Sequence, residues 1–162
     1  MFPKWHEING TKCQGKLELA VATILHELGV TFDRGDAITT PHGRYSPDFD
    51  CGPFFVEVKG QNTWLKACGM VPMMENARNP KLAEISDNSL KKMEWVDKNI
   101  KPVYILIDTS IARKSILGIS VPPHDLRTVS GSNSEFVKFL QDVLNEDDLS
   151  RNTTVVDRQA ST

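Results

Sequence analysis

Residues 44–60 read RYSPDFDCGPFFVEVKG. Within this stretch Asp48, Glu57 and Lys59 stand among Pro47, Phe49, Phe54, Phe55, Val56 and Val58, neighbours of the bulky and β-branched kind that bury in strands. Burying charges without partners is costly, so the three must serve one another or a ligand. Asp50-Cys51-Gly52-Pro53 is turn chemistry, which makes residues 44–49 and 54–59 two antiparallel strands. Side chains alternate across a strand, so Glu57 and Lys59 share a face, about 6.6 Å apart along it. Val56 and Val58 then face the core, and Asp48 sits beside Glu57 across the turn. Two carboxylates at this spacing suit a hard cation such as magnesium, which takes oxygen ligands and keeps several waters. The lysine is a poor ligand. It is well suited to orient or deprotonate a water, or to steady charge on a phosphate. The plainer reading, a Glu–Lys or Asp–Lys pair on an exposed sheet face, is weakened by the apolar flanks.

Outward from the motif, residues 37–40 read as a further short strand joined to 44–49 by Pro41-His42-Gly43, completing a three-stranded antiparallel meander. Upstream, Leu17, Val21, Ile24, Leu25 and Leu28 recur at intervals of three and four, the pattern of an amphipathic helix over 15–28 that Gly29 is placed to stop. Residues 30–32 resume as extended chain. Residues 1–14, with Asn9-Gly10, are expected to be an irregular lead-in, and 62–79 has no firm period. A second helix is expected over 86–99, a buried strand over 102–108 (PVYILID), a weaker strand over 115–121 and a last helix over 134–144. The order α-βββ-α-β-β-α describes one α/β domain with a mixed sheet, residues 1–146. Residues 147–162 form a polar, acidic tail expected to be disordered.

At 162 residues the chain can bury a substantial core. No apolar run reaches the roughly 18–20 residues of a membrane helix, so no membrane partner is expected. Cys13, Cys51 and Cys68 are odd in number and lack CxxC spacing, which argues against a disulfide framework or zinc knuckle and fits a reducing, cytoplasmic setting. The net charge is -2. Five acids and two arginines lie beyond residue 140; the rest of the chain carries 17 basic and 16 acidic residues. Bulk charge therefore gives nucleic-acid binding no support.

The phrases SPDF and FVEVKG, with Pro47-Asp48 followed nine residues later by Glu57, then Val58 and Lys59, resemble the signature of the PD-(D/E)XK nuclease superfamily. Members often carry a glutamate on the helix before the meander, and Glu18 stands there. YSPDF and FVEVKG look most like the phage endonuclease I class of Holliday-junction resolvases. The likeness covers residues 15–60 well and 86–108 by pattern. It implies a restriction-endonuclease-like core. It also implies a Mg2+ site, in which Mn2+ would substitute, held by Glu18, Asp48, Glu57 and the Val58 carbonyl. Lys59 would position the attacking water, and Glu18, Asp48, Glu57 and Lys59 would carry the reaction. DNA, branched in form, is the implied substrate, a homodimer the implied assembly, and a bacterial or phage-infected cytoplasm the implied setting. No Gln follows Gln61 until Gln141, unlike the recombination-type exonucleases of the superfamily. Rival readings are a nuclease of the same fold on other DNA or RNA substrates, and a non-catalytic nucleic-acid-binding module.

Other residues carry weaker signals. Asp50 is ordinary turn chemistry before it is a ligand, His26 and His42 read as surface positions, and no His–acid pattern supports thiol catalysis at Cys51 or Cys68. Gln61, Asn62 and Trp64 follow the motif directly and either line a DNA groove or pack. Lys91 and Lys92, with Lys98 and Lys101, form the best basic patch for phosphates along the second helix.

Overall fold

The computed structural model describes residues 5–8, 10–73, 81–84, 88–110 and 124–160. The buried run VYILID forms β9 (Val103–Asp108), and the motif strand forms β6 (Phe55–Gly60). The two pair in parallel, Phe55 opposite Val103 through Gly60 opposite Asp108. β10 (Arg127–Gly131) adds to β9 in parallel, and the two-residue β5 (Phe49–Asp50) adds to β6 antiparallel. The result is a mixed four-stranded sheet in the order β10-β9-β6-β5. The chain is thus α/β, as its element order implies.

Parallel strands need helices on both faces, and both faces here are covered. Val56, Val58 and Leu106 pack with α1 (Gly15–Glu27) and α4 (Asn133–Ala160) through Val21, Leu25, Phe136 and Leu140. Phe55, Val103, Ile105 and Ile107 pack on the other face with Trp64 of α2 (Gln61–Ala67) and with Met93 and Val96 of α3 (Ser89–Asn99). α1 ends as its apolar period requires. Gly29 takes φ 75°, its N–H bonds to His26 O at 3.0 Å, and the Val30 N–H reaches back to Leu25 O at 2.9 Å. This is the two-bond C-terminal cap that glycine favours.

Several expectations are corrected. The lead-in is not irregular. β1 (Trp5–Ile8) pairs antiparallel with β2 (Thr11–Gln14), with Ile8 opposite Thr11. The meander is not continuous: β3 (Ile38–Thr40) and β4 (Gly43–Tyr45) form a separate two-stranded ribbon. Between β4 and β5 stands Pro47, which has no N–H for a ladder, and its carbonyl accepts from Gly35 N at 3.2 Å. The outer neighbour of β5 is instead Asp33, whose backbone N and O bond to Asp50 O and N at 3.0 and 2.7 Å.

The aperiodic stretch after the motif contains α2 and β7 (Met70–Met73), and β7 pairs with β8 (Lys81–Glu84). β10 escaped the sequence reading because Arg127-Thr128-Val129-Ser130-Gly131 is a half-polar edge strand. α4 does not stop at Leu144 but runs to Ala160, since neither Gly nor Pro interrupts residues 133–160. The strand expected over 115–121 lies outside the described residues. Among the described residues no helix is long and apolar enough to cross a membrane.

Burial of both sheet faces has a measurable consequence. Ile105→Ala and Leu106→Ala, adjacent residues pointing opposite ways, should each cost about 2–5 kcal/mol in urea unfolding. A sheet with one solvated face would instead show one large cost and one near zero.

Candidate active site

The ladder between β5 and β6 ends after the pairs Phe49–Val56 and Asp50–Phe55. Beyond it, side chains take over from backbone. The Val58 N–H donates to Asp48 Oδ2 at 2.8 Å, and the Asp48 N–H donates to Glu57 Oε1 at 3.0 Å. The two motif acids therefore satisfy each other's strands, which explains how carboxylates are tolerated there. Glu57 is 3 % exposed, and its second oxygen lies 3.5 Å from Lys59 Nζ. Glu57 and Lys59 share a face as the alternation requires, while Val56 and Val58 enter the core on the other.

Asp48 opens onto a cleft of about 470 Å³ lined by Gly15, Lys16, Leu17 and Glu18 from the start of α1, Asp48, Val58, Lys59 and Gly60 from the motif, and Thr63 from α2. It lies at the carboxyl end of β6, where open α/β sheets typically place their ligands. Glu18 sits in the first turn of α1, where the helix dipole favours an anion. Its carboxyl interacts with that of Asp48. Three chain segments thus bring Glu18, Asp48, Val58 and Lys59 to one cleft, while Glu57 stands behind it and holds Asp48 and Lys59.

Burial and then the neighbouring Glu57 charge push the Asp48 carboxyl up to about 7, against the pull of the Val58 N–H, Glu18 and Lys59. Burial also raises Glu57, and Lys59 opposes that rise. Tyr45 is packed beside Glu57, its phenol pushed well up by burial and then by that charge. Its buried hydroxyl interacts with the Glu57 carboxyl.

This donor set fits a small divalent cation. Two carboxyls crowd one another at the cleft, and a carboxyl whose charge is so disfavoured by burial and a like neighbour gains most from a cation. Glu18, Asp48 and the Val58 carbonyl are placed to hold it, with waters completing the shell. Glu57 is not placed as an equal ligand, because its carboxyl is engaged with the Asp48 N–H and Lys59. Accordingly, among the described residues no three His, Cys, Asp or Glu side chains are arranged to hold an ion.

The substrate-binding candidates fall out differently. Gln61 and Asn62 open α2, and Gln61 Oε1 is buried without a partner. Lys91 lines a separate hollow with His42, Glu94, Trp95 and Asp125, and Lys92 packs near Gly43. Both are remote from the Asp48 cleft. Lys101 is structural, donating to Asp50 Oδ1 and Gly52 O at 2.6 Å each and lying over the Phe55 ring. Asp50 is the turn residue expected, accepting from Gly52 N at 3.0 Å. Trp64 packs in the core and meets His124 edge to face. Burial pushes the Cys51 thiol up to about 12, which leaves it inert.

Sequence reasoning missed three cationic or polar groups at the cleft. Lys16 and Thr63 line it, and Arg34 lies 3.5 Å from Glu18. Lys16 and Thr63 are two residues from named site residues, a signal available in the sequence. Arg34, sixteen residues from its partner, has none.

No family model matches this chain, and no curated protein or solved structure matches it either. Function must be read from the site itself.

The Asp48 carboxyl holds its proton more tightly in the folded chain than in the unfolded one. Its contribution to stability is therefore complete below about pH 4 and lost as pH rises through about 7. Without divalent ions the urea midpoint should fall between pH 5 and 8. Asp48→Asn should flatten most of that fall and match or exceed wild type at pH 8. A wild-type midpoint that rises over this range would contradict the assignment.

Proposed function

We propose that this chain is a divalent-metal-dependent endodeoxyribonuclease of the PD-(D/E)XK kind, cutting branched DNA in the manner of a Holliday-junction resolvase. The observation that carries the hydrolase reading is the convergence of Glu18, Asp48, Val58 and Lys59 on one cleft. Its restriction-endonuclease-like character is supported by the motif strand lying inside a mixed sheet, with the glutamate-bearing helix packed against it. The branched substrate rests on the likeness of YSPDF and FVEVKG to the phage resolvases.

Bound magnesium would polarise a phosphoryl oxygen and ease ionisation of a water. Asp48, Glu18 and the Val58 carbonyl would hold it. Lys59, 20 % exposed at the cleft, orients the attacking water and neutralises charge that builds on the phosphate. Glu57 acts from behind, fixing the Lys59 ammonium and the Asp48 backbone. Lys16 and Thr63, on the lining of the cleft, supply donors for flanking phosphates. Paired cuts across a junction need two such sites, so the active form is a homodimer. A non-catalytic binding module would be expected to have lost at least one of Glu18, Asp48, Glu57 and Lys59, and all four are present.

The test is a cleavage assay with Mg2+ or Mn2+ on four-way junction, linear duplex and single-stranded DNA. Wild type should cut the junction preferentially, and chelation should abolish cutting. Lys59→Ala should slow it at least about 100-fold, the scale of a lost general acid–base or electrostatic group. Equal cutting of linear or single-stranded DNA would remove the junction assignment and leave the nuclease. No cutting of any DNA would favour an RNA substrate or the binding module.

A further inference from the structure

Arg34 has no counterpart in the motif reading, yet the chain goes to some length to place it. Its guanidinium Nη1 lies 3.5 Å from Glu18 Oε2, the carboxylate that faces Asp48. The residues on either side are stitched to the motif strand. Asp33 exchanges both backbone hydrogen bonds with Asp50, and the Gly35 N–H donates to Pro47 O. Residues 33–35 therefore run as an outer edge against 47–50. Gly35 makes this approach possible. A Cβ there would sit 2.7 Å from Pro47 O and 2.8 Å from the Pro47 ring, closer than real contacts allow. The Arg34 side chain is 35 % exposed and Glu18 13 %, so one end of the pair is reachable from solvent while the other belongs to the cleft.

Resting on the metal-site reading above, we propose that Arg34 is a resident counter-cation for Glu18 that a divalent ion competes with, and that its guanidinium engages a substrate phosphate once the ion holds Glu18. The Arg34–Glu18 contact is long, at 3.5 Å, so a dication beside the carboxylate can outcompete it. Guanidinium matches the geometry of phosphate better than ammonium does, and always carries its charge. Arg34 thus balances the Glu18 charge while the site is empty, and joins Lys59 and Lys16 around the phosphate when it is filled. It also supplies local positive charge in a chain whose bulk charge gives none.

Two measurements on the full chain test this. The first is calorimetric titration with Mn2+ alone, no nucleic acid present. Arg34→Gln should bind about threefold to tenfold tighter than wild type, because a competing charge beside the carboxylate is gone. Arg34→Lys, which keeps the charge, should stay near wild type. The second compares DNA binding in the non-cutting Lys59→Ala background across salt concentrations. Adding Arg34→Gln should lower the slope of log affinity against log salt by about 0.9, one phosphate contact. A merely structural arginine would weaken metal binding or leave it unchanged on removal, and would leave the slope alone; either result overturns the proposal. If wild type binds Mn2+ and Asp48→Ala abolishes it while Arg34→Gln changes nothing, only the role of Arg34 falls. If wild type and Asp48→Ala bind Mn2+ equally weakly, the metal site falls, and this inference with it.

Discussion

Two hydrogen bonds, Val58 N–H to the Asp48 carboxyl and Asp48 N–H to the Glu57 carboxyl, tie the motif together. They stand where the β5–β6 ladder runs out, and without them two backbone donors would be left without acceptors at the edge of the core. An unsatisfied buried N–H costs on the order of 1–3 kcal/mol. The acids are thus structural before they are chemical: the same carboxyls that complete the strand edge set the shape and charge of the cleft. Burial, and then the neighbouring Glu57 carboxyl, raise the Asp48 proton affinity against the pull of the Val58 N–H.

Placement of the cleft follows from the layers. β6 lies next to β9 in the sheet and is covered by helices on both faces, so its backbone is held while its carboxyl end opens beside the first turn of α1. Glu18 reaches Asp48 because α1 packs Val21 and Leu25 on the same sheet face as Val56 and Val58. Helices and strands therefore position Glu18, Val58 and Lys59, Asp48 stands in the bend just before β5, and Arg34 comes from the connection after the helix. Even there the Asp33–Asp50 bridge and the Gly35–Pro47 approach remove most of the freedom a loop would have.

Glu57 shows how position changes a residue's task. Read along the strand, it is an acid equivalent to Asp48 and two residues from a lysine, hence a natural ligand. In the folded chain it has almost no contact with solvent and already serves one N–H and one ammonium. A group so engaged contributes by holding Lys59 and Asp48 where they are. Tyr45, packed against it from the β3–β4 ribbon, closes the remaining side and keeps its surroundings apolar.

Much of this was legible in the sequence because it is encoded locally. The three-and-four recurrence of Leu17, Val21, Ile24, Leu25 and Leu28 specified α1 and its apolar face, and Gly29 its end. VYILID could only be a buried strand, and the Asp48, Glu57 and Lys59 spacing put two acids and a lysine around one turn. What the tertiary structure decided is non-local or depends on burial. The meander broke at Pro47 because Asp33, seventeen residues upstream of Asp50, and not the ribbon, offers β5 its backbone partners. β10 carries too little apolar signal to announce itself and is recruited by the edge of β9. Glu57 turned inward because both sheet faces are covered, which no alternation pattern reveals. Arg34 met Glu18 only because a glycine lets two backbones approach. Periodicity records which face of an element is apolar; which faces meet, and which charges are then forced together, is a property of the packed chain.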